Sequence, residues 1–365
     1  MIKKYFYLIF LFLISACFNS QKKQDNQLNI YNWSDYVDPE TVEIFANKNN
    51  IKVNYSYYDS NESLEAKILT GQSGYDLVFP GSANIERQIK AGAYEKLDKS
   101  KIPNYQLIDP QLLELMQRID PNNDYAVPYF IGINTIAINV EQVKKRIGQE
   151  LPQDIWDLVF NPKYTKKLKT CGISLLDSPS EVFPLVLSYL DLDPSTNNPE
   201  DINRAYETLK KVRSDIKRFN SSGYINDLAR GELCVVVGYG GDLNIAARTA
   251  KEANAPFNIK VLAPKTKTAI WIDSAAIPIG VKHPDNAYLY INHFLDPEIA
   301  AKNGDFVTFQ PGSEPAKKLM KKEYTENESI FVSNDIIKTG FIIKPFSPVL
   351  IKKMVKLWQQ LKVEK

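Results

Sequence analysis

The hydrophobic and polar positions of the first hundred residues follow strand and helix periods in turn. Residues 28–31 and 51–57 alternate as half-buried strands do, and residues 75–79 form a short apolar run. Between them, Asp38-Pro39-Glu40 is a typical helix start, residues 64–69 read as a second helix, and Ser82 is expected to cap a third. This order predicts a parallel or mixed sheet with helices on both faces, where ligands bind beyond the carboxyl ends of the strands.

The pattern continues through the rest of the chain. Residues 127–139 form one long extended run, which we expect to be a strand that crosses between two lobes. Further strands are predicted over residues 173–176, 234–237, 259–262 and 269–279, with helices over residues 181–190, 205–212, 243–253 and 349–361. At 365 residues the chain is too long for one core, so two lobes are expected. We predict that residues 28–133 and 255–308 form the first lobe, and residues 134–254 and 309–365 the second.

The amino terminus has the pattern of an export signal. Lys3 and Lys4 precede ten apolar residues, which are too few to span a bilayer but suit a signal peptide. The sequence I-S-A-C at residues 14–17 resembles the bacterial lipoprotein signal, in which the cysteine is acylated. We therefore expect residues 1–16 to be a signal peptide, Cys17 to carry lipid, and residues 17–27 to be a tether; the alternative is a plain signal peptide.

Composition narrows the possible functions. The 45 Lys and Arg residues against 43 Asp and Glu residues leave no basic excess, which argues against nucleic-acid binding. Loss of the two signal lysines would leave the mature chain electrically neutral. With His283 and His293 as its only histidines, the chain offers little for a His-rich metal site or a His-based triad. Aromatic residues make up 11% of the chain, and some of them lie beside the candidate ligand-binding carboxylates.

Export also changes how the cysteines are interpreted. With Cys17 assigned to lipid, Cys171 and Cys234 remain as an even pair in an oxidising compartment. We expect a disulfide between them, which would contribute about 4 kcal/mol in the chain-entropy model. The alternative is a pair of buried free thiols.

Aromatic residues lie close to carboxylates at three predicted strand ends: Trp33 with Asp35, Tyr239 with Asp242, and Trp271 with Asp273. Such an arrangement suits an elongated organic cation, because rings desolvate its methylene chain and attract its charge while acids accept hydrogen bonds from each ammonium. The alternative for any one pair is ordinary packing, since aromatic residues beside acids are common at strand ends.

Five motifs resemble the bacterial polyamine-binding proteins of ABC transporters, above all the putrescine-binding branch. They are N-I-Y-N-W-S-D-Y at residues 29–36, Y-D-L-V-F-P at 75–80, S-S-G-Y-I-N-D-L at 221–228, G-Y-G-G-D at 238–242 and W-I-D at 271–273. The resemblance covers essentially the whole mature chain, including the cysteine pair, which matches the disulfide of that branch. It implies an α/β, two-lobed periplasmic-binding-protein fold of type II, with mixed sheets flanked by helices and a ligand cleft between the lobes.

The resemblance also implies a ligand set. Its aromatic walls would be Trp33, Tyr239, Trp271 and Phe309; Asp35, Glu181, Asp242 and Asp273 would hold the amines; Ser34 and Tyr36 would assist. Three positions depart from the putrescine branch, with Gly81 for serine, Phe309 for tyrosine and Tyr239 for tryptophan. The departures leave the choice between putrescine and spermidine open.

The function implied is capture of a polyamine by cleft closure and its delivery to an ABC permease and ATPase, with no catalysis and no cofactor. The protein would act in the periplasm, anchored to a bacterial membrane through Cys17. Two alternatives remain at this point. One is a surface sensor that binds an amine without transport, and the other is an enzyme such as a glycosidase that uses two of the carboxylates.

Overall fold

The computed structural model describes residues 26–34, 36–58, 61–221 and 223–363. The predicted signal, Cys17 and Asp35 lie outside the described residues. Eleven strands and sixteen α-helices alternate along this part of the chain, with five short 3₁₀ turns between them. The strands are β1 (Gln27–Trp33), β2 (Lys52–Tyr58), β3 (Leu77–Val78), β4 (Ala126–Asn139), β5 (Ile173–Leu175), β6 (Arg218–Phe219), β7 (Val235–Tyr239), β8 (Ile259–Val261), β9 (Ala269–Ala276), β10 (Gln310–Pro311) and β11 (Phe341–Ile342).

The helices flank the strands, and many begin with an Asp or Asn cap followed by proline, as Asp38-Pro39 predicts. They are α1 (Pro39–Asn49), α2 (Asn61–Ile68), α3 (Ser82–Lys90), α4 (Pro110–Met116), α5 (Val140–Ile147), α6 (Asp157–Phe160), α7 (Pro162–Leu168), α8 (Pro179–Tyr189), α9 (Pro199–Val212), α10 (Tyr224–Ala229), α11 (Gly240–Glu252), α12 (Pro284–Phe294), α13 (Pro297–Val307), α14 (Lys322–Thr325), α15 (Asn334–Thr339) and α16 (Pro348–Val363). Ser82 is the first residue of α3 and not its cap; Gly81 precedes the helix without a side-chain cap.

The strands form one mixed sheet, in the order β2-β1-β3-β9-β4-β7-β5-β6, so the predicted α/β class is confirmed. β1 pairs in parallel with β2 and β3, whereas β4 is antiparallel to β9 and β7. All fourteen residues of β4 are buried, as expected for a strand that is covered on both faces.

The long strand β4 joins the two halves of the molecule. Its residues 126–133 pair with β9, and its residues 134–139 pair with β7 and β8. The largest apolar core lies around β5, β7 and α8, while three other cores surround the strands on the β1 side. β8 pairs with the C-terminal part of β4 and β10 with its N-terminal part, across the predicted lobe bounds. Those bounds stay a prediction.

A disulfide links Cys171 and Cys234, whose Cα atoms are 5.4 Å apart. Each cysteine lies just before a strand, Cys171 before β5 and Cys234 before β7, and these two strands pair in parallel. The bond therefore fastens the starts of two neighbouring strands in the C-terminal half of the sheet.

Candidate functional site

The carboxyl end of β1 supplies an aromatic surface on the N-terminal half of the molecule. The indole of Trp33 donates its Nε1–H to the carbonyl oxygen of Phe79 at 3.0 Å and packs on the ring of Tyr58, 4.6 Å between centroids. Ser34 follows at the surface. Trp33 is thus fixed at the point where the α/β topology predicts a ligand.

Asp273 on β9 is buried, with 9% of its surface exposed, and the hydroxyl of Tyr36 donates to its Oδ2 at 2.9 Å. Burial raises the pKa of Asp273 to about 7; the hydrogen bond from Tyr36 opposes this shift, and the charge of Glu181 adds to it. The pKa of Tyr36 is raised in turn, by burial first and by Asp273 second. Tyr36 and Asp273, both predicted from the sequence as ligand-binding residues, thus meet here although they are far apart in the chain.

Glu181 lies in the first turn of α8 and has both carboxylate oxygens engaged. Tyr239, the last residue of β7, donates its hydroxyl to Oε1 at 2.8 Å, and Asn134 donates Nδ2 to Oε2 at 3.1 Å. Asn134 and Tyr239 are cross-strand partners of β4 and β7, so the sheet itself positions both donors. No local pattern in the sequence indicates Asn134 as a site residue.

Asp242 lies in the first turn of α11 and accepts a hydrogen bond from the hydroxyl of Tyr224 at 2.7 Å. Burial raises the pKa of Asp242 to about 6, while this hydrogen bond lowers it. Tyr224 was not selected as a site residue, although it lies within the motif at residues 221–228. Its position in that motif is the signal by which the sequence could have indicated it.

The aromatic side chains of the candidate set pack against one another. The ring of Trp271 lies edge-on to Phe309 at 4.9 Å and to Tyr239 at 6.1 Å, and Tyr36 contacts Phe309 at 5.8 Å. Because Tyr239 belongs to β7 and Trp271 to β9, this cluster joins the two halves of the sheet. The cluster and the three described carboxylates occupy the same region.

Gly241 shows why a glycine stands between Tyr239 and Asp242. A Cβ atom at this position would lie 2.4 Å from Cε1 of Phe309, closer than any side-chain contact allows. The absence of a side chain lets the start of α11 approach the Phe309 ring. Phe309 and Asp242 can therefore take part in the same site.

Neither Asp242 nor Asp273 pairs with a lysine or arginine within the part of the chain that the structure describes. Buried carboxylates without a cationic partner are costly, because desolvation disfavours their charge. No cluster of three or more potential metal-ligating side chains is found among the described residues. An organic cation with more than one ammonium group would satisfy both the charge and the aromatic surroundings.

The topology and this site define a two-lobed α/β binding protein, with the candidate site residues on both halves of one mixed sheet. Residues 40–331 match the family model of bacterial extracellular solute-binding proteins, and the chain belongs to that family. It is not an enzyme family. The described residues include no helix with the length and apolar character needed to cross a membrane.

Known relatives agree with the family assignment. The chain is 39% identical to the putrescine-binding periplasmic protein SpuD of Pseudomonas aeruginosa over 343 residues, 94% of either chain. Among solved structures, the spermidine/putrescine ABC transporter substrate-binding protein PotD of Streptococcus pneumoniae superposes with a TM-score of 0.78 at 28% identity, covering 92% of this chain and 98% of that one. The Tp0655 (TpPotD) lipoprotein of Treponema pallidum gives 0.79 at 27% identity, covering 93% and 100%. The predicted type II periplasmic-binding-protein fold is confirmed by these likenesses.

Proposed function

We propose that this protein captures a polyamine and delivers it to the permease and ATPase of an ABC importer. The ligand that we propose is putrescine, and spermidine is the alternative. The observation that carries the proposal is the pair of carboxylates without cationic partners, the buried Asp273 and the half-buried Asp242, beside a cluster of aromatic rings. The names of the relatives, which include putrescine and spermidine binders, support the same ligand class.

In this proposal, Trp33, Tyr239, Trp271 and Phe309 are the walls of the site. The ammonium groups bind to Asp35, Glu181, Asp242 and Asp273, with Ser34 and Tyr36 assisting. The ring faces of the four wall residues desolvate the methylene chain of the ligand, and each carboxylate accepts charge-assisted hydrogen bonds from an ammonium group. Because Asp273 lies on β9 and Asp242 on α11, a dication held by both favours the closed arrangement of the lobes.

The proposal includes a lipid anchor. The I-S-A-C sequence at residues 14–17 supports acylation of Cys17, and a structural relative is itself described as a lipoprotein. Anchored in this way, the mature protein would act in the periplasm, close to its permease. Expression in a bacterial host with radiolabelled palmitate tests this part, since Cys17→Ser should abolish the labelling of the mature chain.

A thermal-shift panel tests the ligand class. The mature protein is heated with putrescine, cadaverine, agmatine, spermidine and common amino acids at matched ionic strength. We expect the polyamines to raise the melting temperature in a concentration-dependent way, because a ligand that binds only the folded state stabilises it. A shift with amino acids alone would contradict the proposal.

A further inference from the structure

Gly132 lies in the middle of β4, on the face of the strand that is directed towards the candidate site. Alternate residues of a strand share a face. Phe130, whose ring contacts a tyrosine of the site, and Asn134, which donates to a carboxylate of the site, therefore share a face with Gly132. Gly132 is buried, and its φ lies outside the left-handed region, so its backbone conformation does not require a glycine. The reason for a glycine here must be what packs against it.

The indole of Trp271 occupies the position that a side chain would take at Gly132. The two residues are cross-strand partners on β4 and β9. A Cβ atom at Gly132 would lie 2.2 Å from Cζ2, 2.6 Å from Cη2 and 2.8 Å from Cε2 of the indole, far inside van der Waals contact. The six-membered ring of Trp271 therefore lies directly against the backbone of β4, and a methyl group at Gly132 would force it off the strand.

Packing alone holds this indole in place. Within the described part of the chain, no acceptor binds the buried Nε1–H of Trp271, whereas the Nε1–H of Trp33 donates to a carbonyl oxygen. The rings of Phe309 and Tyr239 lie edge-on to Trp271, at 4.9 Å and 6.1 Å between centroids. The position of the Trp271 ring thus depends on the strand backbone behind it and on the rings beside it.

We propose that Gly132 is a positioning residue for ligand binding, because it allows the Trp271 indole to lie against β4 beside Asp273. Trp271 and Asp273 are two residues apart on β9 and share a face, so a displaced indole changes the surroundings of the carboxylate. The inference rests on the proposed function and adds to it the residue that places one aromatic wall of the site.

A double-mutant cycle in calorimetry tests whether Gly132 acts through Trp271. Gly132→Ala adds a methyl group, and we expect putrescine affinity to fall about tenfold because the indole must move. Trp271→Phe removes the ring atoms that this methyl group meets. In that background, Gly132→Ala should change the affinity by less than about twofold, since its partner in the contact is already absent. Equal losses in both backgrounds would overturn the inference.

Trp271 also provides a spectroscopic readout that a purely structural role of Gly132 would leave unchanged. Subtracting the fluorescence spectrum of Trp271→Phe from that of the wild type isolates the emission of Trp271. Subtracting Gly132→Ala/Trp271→Phe from Gly132→Ala isolates it in the variant. We expect the two difference spectra of the ligand-free proteins to differ, because the indole leaves its place against β4. Identical spectra would mean that the strand yields instead, and would contradict the inference even where Trp271→Phe binds too weakly for calorimetry.

The matched control is Gly340→Ala, which crowds β9 away from the candidate site. Its Cβ atom would lie 2.8 Å from Cδ1 of Ile270, whose side chain faces the opposite side of β9 from Trp271. We expect a lower melting temperature, nearly wild-type affinity and an unchanged Trp271 spectrum. If Gly340→Ala weakens binding as much as Gly132→Ala does, loss of stability accounts for both results and the inference fails.

The double variant decides the question in case Gly132→Ala alone does not fold. Affinity equal to that of Trp271→Phe would support the inference, and a further tenfold loss would contradict it. If the wild-type protein binds no polyamine at all, the proposed function fails. If the wild type binds and Gly132→Ala binds equally well, only the inference fails.

Discussion

At the scale of single residues, the carboxylates determine how the site behaves. Asp242 and Asp273 are held among aromatic rings and tyrosine hydroxyls, and burial raises their pKa values to about 6 and about 7. The sequence allowed both acids to be selected, because each lies beside an aromatic residue in a motif. Tyr224 could have been selected from its motif at residues 221–228, whereas Asn134 could not, since its hydrogen bond to Glu181 joins distant segments and leaves no local pattern.

Replacement of Asp273 should separate binding from stability. We expect Asp273→Asn to weaken putrescine binding at least tenfold, about 1.5–3 kcal/mol for a hydrogen bond to a charged group. The same change should raise the melting temperature of the ligand-free protein at pH 8 by a few degrees, because it removes a desolvated charge. Calorimetry and differential scanning fluorimetry measure the two effects.

The control is Asp285→Asn, the same substitution at an exposed acid paired with Lys101. It should change neither quantity appreciably. Wild-type affinity in Asp273→Asn would remove Asp273 from the binding site.

The raised pKa values also predict how binding and stability depend on pH. The ligand amines stay protonated below pH 9, so only the carboxyl groups titrate, and a cation binds their ionised form. Affinity should therefore fall at least tenfold from pH 8 to pH 5, as pH passes through about 7 and about 6.

Ligand-free stability should move in the opposite direction. An unfolded Asp titrates near pH 3.9, so the folded state binds protons more readily, and these two groups make it more stable as pH falls from 8 to 5. Calorimetric titrations and melting curves at pH 5, 6, 7 and 8 check both trends. A pH-independent affinity would contradict the assignment.

At the scale of elements, strand β4 and the start of helix α11 place the site. The long extended run at residues 127–139 predicted β4 correctly, because a strand buried on both faces needs no polar alternation. The close approach of α11 to Phe309 was not predictable, since it depends on contacts between segments about seventy residues apart.

Gly241→Ala tests that close approach. The added methyl group would lie 2.4 Å from the Phe309 ring, so the ring must move and the aromatic cluster must open. We expect a loss of about 1–3 kcal/mol in the free energy of unfolding, together with weaker polyamine binding. Urea denaturation and calorimetry measure the two losses.

The double variant Gly241→Ala/Phe309→Leu serves as the control, because the smaller side chain relieves the contact. Part of the stability should return. If Gly241→Ala alone is as stable as the wild type and binds polyamine with normal affinity, the close approach of α11 to Phe309 has no role.

The disulfide also acts on whole elements, because it links the starts of β5 and β7. Cys171→Ala/Cys234→Ala opens a loop of 63 residues, and the chain-entropy model gives a loss of about 4 kcal/mol in unfolding free energy. The disulfide lies at the start of β7, whereas Tyr239 is the last residue of that strand. Ligand affinity should therefore stay close to the wild-type value. Urea denaturation and calorimetry of the double variant provide the check; an equal stability would contradict the predicted contribution.

At the scale of the whole molecule, two halves share one sheet and meet at a cluster of acids and rings. The near-balance of charge, 45 Lys and Arg against 43 Asp and Glu, means that the negative field of the site is local, so capture of a cation depends on the cleft and not on the whole surface. The family resemblance and the alternation of strands and helices predicted this architecture. The lobe bounds stay a prediction; β8 and β10 pair with β4 across them, and such long-range pairings leave no local pattern in the sequence.

We propose above all that Asp242 and Asp273 bind a polyamine, and calorimetric titration of the protein with putrescine at pH 8 is the direct test of this proposal. We expect saturable binding to one site, with affinity at least a hundredfold lower in Asp242→Asn/Asp273→Asn, in keeping with two lost charged hydrogen bonds of about 1.5–3 kcal/mol each. Absence of binding to putrescine and spermidine in the wild-type protein, or equal binding by the double variant, would contradict it.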